Sequence, residues 1–186
     1  MKLYDIEALN HKSQDIIVKK ESLKWYALYT NPRAEKKVKM ELDLNGFENY
    51  LPLQKTIRQW SDRKKMVEVP LFNSYIFVKI NLEKSFQHIL SINGIVKFIK
   101  FGNEIASIRD SQINNIKLIL SNFEGIEVTG NHQIEPGQEV EVIAGYLKGS
   151  RGKVIEKKGT RYFSVEIEQI GVRLLISIPA QYLKDI

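Results

Sequence analysis

The rhythm of hydrophobic and polar positions changes several times along the 186 residues. Residues 24–30, Lys-Trp-Tyr-Ala-Leu-Tyr-Thr, are rich in aromatic and β-forming side chains, which predicts a buried strand. Asn31-Pro32 follows; Asn at a cap and Pro at the first helical position predict a helix starting there. Ala34, Val38 and Leu42 recur at i, i+4 and i+8 as its core stripe, and Asn45-Gly46 is its stop. Arg33, Lys36 and Lys37 fall opposite that stripe, giving a basic outer face. Residues 50–57 and 66–72 read as two strand arms around a basic tip, Arg58-Gln-Trp-Ser-Asp-Arg-Lys-Lys65. Residues 75–80 form a third strand, apolar on both faces. Residues 83–90 read as a short helix with Phe86, Ile89 and Leu90 inward, stopped at Asn93-Gly94. A strand over 95–101 and a helix over 110–121, spaced by Ile113, Ile116 and Leu120, complete the block. Helices interspersed with strands, without strict βαβ alternation, predict an α+β layer fold.

The texture then shifts. Residues 122–135 carry two glycines and no lysine or arginine, and read as a linker. From Pro136-Gly137 onward, Val140, Val142, Val154, Val165, Ile167, Leu174, Ile176 and Ile178 alternate with polar residues. Short strands with glycine turns predict a small β-barrel. The expected organisation is a tail over 1–22, an α+β domain over 23–121, a linker over 122–135 and a β-barrel over 136–186. A core of about fifty residues is marginal alone, so contact with the first domain is expected to support it.

Charge sharpens the division. The net charge is +6: zero over 1–22, +7 over 23–122, −2 over 123–133 and +1 over 134–186. The excess sits in the α+β domain and points to a polyanionic partner there. There is no cysteine, which excludes disulfides and thiolate chemistry and fits a reducing, cytoplasmic setting. No apolar run reaches the roughly 18 residues of a membrane helix. The first residues, Met-Lys-Leu-Tyr-Asp-Ile-Glu, lack the apolar core of a secretory signal. His11, His88 and His132 are isolated, and no HExxH, Gly-x-Ser-x-Gly or P-loop pattern is present. No catalytic residue, metal or cofactor is therefore expected.

The stretch Pro136-Gly-Gln-Glu-Val-Glu-Val-Ile-Ala-Gly-Tyr-Leu-Lys-Gly-Ser-Arg-Gly-Lys-Val154 is more specific. Val140 and Val142 share a face, Gly145 and Gly149 bracket a turn, and Gly152 lets the next strand come close. This spacing resembles the KOW motif of transcription elongation factors and some ribosomal proteins, with Gly145, Tyr146, Leu147, Gly149 and Gly152 as its loop. The glycines are read as shaping that loop. Upstream, Trp25-Tyr-Ala-Leu-Tyr-Thr-Asn-Pro-Arg-Ala-Glu-Lys-Lys-Val38, Tyr50-Leu-Pro-Leu53 and Pro70-Leu-Phe-Asn-Ser-Tyr-Ile-Phe-Val78 resemble the N-terminal domain of the NusG family. With the KOW motif the resemblance covers residues 23–186. Residues 58–65 are most similar to the specialised UpxY-like and RfaH-like antiterminators, the former serving capsule or exopolysaccharide operons. The family usually has Pro-Gly where this chain has Asn73-Ser74, so a different turn is expected.

The resemblance implies a monomeric, non-enzymatic factor that binds RNA polymerase and reduces pausing or termination. Tyr29, Phe72, Tyr75 and Phe77 match positions that dock on the clamp helices of the polymerase's largest subunit; a core covered on both faces is the alternative. Ser85, Gln87 and His88 match a polar loop that touches the second large subunit in RfaH-like relatives; a plain amphipathic helix is the alternative. Arg33, Lys36, Lys37, Arg58, Trp60, Arg63, Lys64 and Lys65 are the groups placed to meet upstream or non-template DNA, with Trp60 offering a stacking face. Solvated surface charge is the alternative there. The barrel is expected to take a protein, a ribosomal protein or Rho in this family. Its β-branched residues and glycines oppose the helical refolding of RfaH-like relatives. The favoured function is an operon-specific antiterminator. A housekeeping NusG factor, or an RNA- or ribosome-binding KOW module without polymerase contact, are the other readings.

Overall fold

A computed structural model describes residues 23–59, 63–130, 137–157 and 160–186. The expected tail, Trp60 and the end of the expected linker lie outside these residues. Strand β1 (Lys24–Thr30) is as predicted and central. It pairs antiparallel with β5 (Tyr75–Ile80), from Lys24 opposite Ile80 to Tyr29 opposite Tyr75, and on its other edge with β6 (Ile95–Phe98). β2 (Glu48–Tyr50) completes the order β2-β5-β1-β6. Alternation sends Tyr26, Leu28, Ile76, Val78 and Ile80 to one face and Trp25, Ala27 and Phe77 to the other. The first face packs under α1 (Glu35–Leu44) and α2 (Leu82–Ser91), whose Val38, Leu42 and Ile89 are fully buried. The second packs with Ile113 and Ile116 of α3 (Asp110–Asn122). The result is the expected α+β layering.

Helix α1 begins three residues later than Asn31-Pro32 predicts. Arg33 has a left-handed backbone, φ 64°, which no α-helix accommodates, and Ala34 is the cap. Arg33 therefore stands outside α1, and the basic helix face is Lys36 and Lys37 without it. Glu35 anchors the start. Its buried carboxylate accepts the Ser74 N–H at 2.7 Å, while the Ser74 carbonyl accepts the Thr30 N–H at 2.9 Å. Ser74 is itself left-handed, φ 64°, a conformation that favours glycine. That conformation costs a residue with a Cβ about 1–2 kcal/mol, and the charge-assisted bond to Glu35 offsets it. α2 matches its prediction: the Asn81 side chain caps it by accepting the Lys84 N–H at 3.2 Å, and Phe86 stacks inward on Phe98 at 5.3 Å.

The two predicted arms form a separate hairpin, β3 (Leu53–Gln59) with β4 (Lys64–Pro70). Lys36 ties it to α1 by donating to the Glu68 carbonyl at 2.8 Å. The second half of the chain is a six-stranded antiparallel sheet in the order β12-β8-β9-β10-β11-β7. Its strands are β7 (Glu127–Gly130), β8 (Glu139–Val142), β9 (Arg151–Lys157), β10 (Thr160–Ile167), β11 (Val172–Ile176) and β12 (Leu183–Asp185). β7 falls inside the expected linker: Val128 and Thr129 are β-formers that pair with the edge of β11, Val128 opposite Leu174. Val140, Val142, Phe163, Val165, Ile167, Leu174 and Ile176 fill one buried face. Gly152 is obligatory, because a Cβ there would stand 2.4 Å from the Ser164 carbonyl oxygen.

Helix α3 serves both halves. Around its axis Ile113, Ile116, Lys117 and Leu120 lie together, and Gln112, Asn115, Ile119, Asn122 and Phe123 lie on a neighbouring face. The first group meets the sheet: Lys117 Nζ sits over the Trp25 and Tyr50 rings at 5.5 and 5.1 Å. On the second, Gln112 and Asn115 face β9 and β10 across one cleft, and Asn122 and Phe123 face the Gly145–Leu147 turn across another. Fully buried Ile119 lies between them, and one continuous apolar core joins the two halves.

Removing the Glu35 carboxylate strands the Ser74 N–H in a buried position. Glu35→Ala is expected to lower unfolding free energy by about 2 kcal/mol, read by urea denaturation; a change under about 0.5 kcal/mol would contradict the anchor.

Candidate functional site

The second sheet face is covered over only part of its length. Trp25, Ala27 and Phe77 are buried with α3, and the Trp25 indole N–H donates to Asp110 at 3.1 Å. Lys79 pairs with the same carboxylate at 2.8 Å. The Lys79 hydrogen bond holds Asp110 below the usual carboxylate range and, reciprocally, raises Lys79. Burial beside α3 pushes the Tyr50 phenol up to about 12. Beyond α3 the face opens. Tyr29 and Tyr75, directly opposite on β1 and β5, meet edge to face at 5.5 Å and stay half-buried. Lys97 sits over the Tyr29 ring at 5.9 Å. Burial, then the neighbouring Tyr29, raises the Tyr75 phenol. In the turn after β6, Phe101 is 61% exposed.

Of the four aromatic residues expected on one docking face, two are thus at the surface. Phe72 and Phe77 are interior, 3% and 0% exposed, in edge-to-face contact at 6.1 Å. The same-side rule for Tyr75 and Phe77 holds, but Phe77 is fully buried against Tyr50 and Phe72 in the core that α3 completes, while Tyr75 stays half-buried at its edge. Sequence spacing gives the face and cannot tell which end of it a later helix covers.

Ser85, Gln87 and His88 lie within the regular helix α2. Ser85 is half-buried; Gln87 and His88 are exposed. His88 Nε2 is 3.0 Å from the Asn45 side-chain oxygen, and its ring packs edge to face on Phe47 at 5.1 Å. The helical alternative describes this segment.

The basic groups fall in two adjoining places. Arg33 and Lys37 are exposed beside α1, with Lys36 holding the hairpin. On the hairpin, Arg58 stands directly opposite Lys65, and exposed Arg63 and Lys64 adjoin them. Like charges directly opposite each other destabilise a strand pair, so the Arg58–Lys65 pair does not itself hold the hairpin together.

In the β domain, Gly145 and Gly149 are left-handed at φ 79° and 83° and shape the turn. Leu147 is buried, whereas Tyr146 is 69% exposed. Tyr146, Leu147, Tyr182, Ile178 and Phe123 surround an apolar recess of about 260 Å³. Among the described residues no three His, Asp or Glu side chains are gathered as metal ligands, and no helix is long and apolar enough to cross a membrane.

The family model for "Transcription termination factor nusG" matches residues 23–117, half of the chain. The chain belongs to the NusG family. The NusG match covers the four-stranded sheet, α1, α2, the hairpin and the first part of α3. A solved NusG structure from Thermotoga maritima, titled for its domain interaction, superposes with a TM-score of 0.51 over 88% of this chain and 97% of that one. At 20% identity it speaks for the fold: a NusG N-terminal domain followed by a β-rich KOW-type domain. No curated protein sequence matches significantly. Membership makes this a transcription factor of the termination and elongation class, with RNA polymerase as its general partner.

Two contributors were missed by sequence reading. No local pattern sets Glu35 or Asp110 apart; only tertiary structure brings them to Ser74 and Trp25. Phe77→Ala is expected to cost about 3–5 kcal/mol of stability, and Tyr75→Ala less than half of that, compared by urea denaturation. Equal losses would contradict the division between interior and surface.

Proposed function

We propose that this NusG-family factor docks on the clamp helices of RNA polymerase through the open end of the second sheet face and reduces pausing or termination at a restricted set of operons. The observation that carries the reading is the half-buried Tyr29–Tyr75 pair, edge to face at the open end of the sheet. Phe72 and Phe77 act from beneath, fixing the β5 backbone under Tyr75. Tyrosine suits an anchor because it buries large area while losing few rotamers. The factor is non-enzymatic: it works by holding the polymerase, with Ser85, Gln87 and His88 on α2 as the candidate second contact.

The opposed charges at the hairpin tip support a DNA contact. Arg58, Arg63, Lys64 and Lys65, with Trp60 next to them in sequence, form a cationic projection that phosphates would relieve, and Arg33 and Lys37 extend it. The resemblance of residues 58–65 to UpxY-like factors supports the operon-specific role, at capsule or exopolysaccharide genes. The KOW turn, with Tyr146 beside an apolar recess, is the candidate dock for a ribosomal protein or Rho.

The double change Tyr29→Ala, Tyr75→Ala is expected to weaken binding to the cognate polymerase by about 2 kcal/mol or more, measured by biolayer interferometry on protein that remains folded. Parent-like affinity would overturn the docking assignment. Arg63→Ala, Lys64→Ala and Lys65→Ala together should make the salt dependence of binding to a bubble-template elongation complex shallower by roughly two units in the log–log slope, leaving binding to DNA-free polymerase unchanged. An unchanged slope would leave the tip a soluble turn.

A further inference from the structure

The hairpin has two unlike faces, and strand alternation separates them. At its base Leu71 donates to the Pro52 carbonyl at 2.8 Å, and Leu51 and Leu71 are buried there. Counting from that bond, Lys55 and Glu68 form a non-hydrogen-bonded pair, so the Glu68 carbonyl points away from β3. The Lys36 ammonium donates to it at 2.8 Å. Ile57 and Met66, the next pair on the same face as Lys55 and Glu68, stand directly opposite each other and are 62% and 58% exposed. They look across a cleft of about 650 Å³ toward Leu120, Phe123 and Ile126, at the end of α3 and just beyond it. Arg58 and Lys65, one residue away on each strand, take the opposite face.

The hairpin is therefore anchored at its base, held along its β4 edge by a side chain of α1, and open on its apolar face. Strand geometry makes it a lever. At about 3.3 Å per residue, Glu68 lies roughly 10 Å and Lys64 roughly 23 Å from Leu71. A shift of about 2 Å at the Lys36 bond becomes roughly 4–5 Å at the tip, more than a hydrogen bond to a phosphate tolerates. The direction is set as well. Room and apolar surface lie toward Leu120, Phe123 and Ile126, so a released hairpin tilts that way to bury Ile57 and Met66.

We infer that Lys36 is a positioning residue: its bond to the Glu68 carbonyl holds the hairpin away from α3 and so places the cationic tip. The consequence for binding rests on the reading of that tip as a DNA contact; the geometry does not. The assignment changes the role that sequence suggests. Lys36 acts through Arg58, Lys64 and Lys65 instead of meeting a phosphate itself. Lysine suits a strut of this kind, because its long unbranched stem carries a compact donor to a main-chain oxygen. The side chain is exposed, so it can be replaced without opening a core.

The test compares Lys36→Met, which keeps the length and loses the donor, with Lys36→Arg, which keeps a donor. The chain has no cysteine, so spin labels at Gln59→Cys and Leu118→Cys, both exposed and outside the cleft lining, report the distance from tip to α3 in the full chain by double electron–electron resonance. Lys36→Met should shorten the mean distance by about 4 Å, and Lys36→Arg should keep the parent value. An unchanged distance in Lys36→Met would overturn the strut. The salt dependence of binding to a bubble-template elongation complex reads the consequence. Lys36→Met should flatten the log–log slope by more than the roughly one unit of a single lost phosphate contact. It should change nothing further in a chain already carrying Arg63→Ala, Lys64→Ala and Lys65→Ala, because it acts through those residues. A loss of about one unit in both backgrounds would overturn the inference and make Lys36 a direct phosphate contact. A parent-like slope in the triple variant alone would instead refute the DNA reading of the tip, and the distance would then decide the strut.

Discussion

The architecture depends on α3 being buried on two faces at once. A helix normally buries one stripe of about 100° or somewhat more. Here Ile113 and Ile116 close the second face of the N-terminal sheet, while Ile119 and Phe123 turn toward the β domain, so a single element completes two cores. Neither half has to be self-sufficient. This matters for a β domain whose strands are short and whose size alone gives little stability. Trp25, Asp110, Lys79 and Lys117 fix the helix on the sheet through one indole hydrogen bond, one ion pair and cation–π contacts. Where α3 ends, and where its footprint ends, therefore decides what the rest of the molecule presents to partners.

The proposed docking surface follows from that footprint. α3 covers Trp25, Ala27 and Phe77 but stops short of Tyr29 and Tyr75. An aromatic pair supported by a packed interior gives a partner a preorganised surface, which lowers the ordering cost of association. The other side of the same helix faces the β domain. The hairpin projects separately, tied to α1 through Lys36. Two chemically different surfaces, aromatic and cationic, thus radiate from a frame set by one helix and one sheet.

Much of this was legible in the sequence because the signals were local. β1, β5, α2 and α3 are written in period and cap residues, and the valine alternation after residue 136 announces the β domain. The misses arose where tertiary contacts override local preference. Asn31-Pro32 is a sound helix start, yet a left-handed Arg33 and the Glu35–Ser74 bond move it to residue 35. Val128 and Thr129 sit in a stretch that reads as a linker, but an open edge on β11 recruits them. Phe77 and Tyr75 have the same parity and opposite fates, because the helix that separates them lies over thirty residues downstream.

Hydrogen–deuterium exchange on the full chain, with and without its RNA polymerase, tests the central claim most directly. The account predicts that amides of residues 27–30 and 72–77 slow on adding polymerase, while amides of 148–155 in the β domain keep their free-state rates. Protection confined to the β domain, with the tyrosine face exchanging as in the free protein, would contradict it.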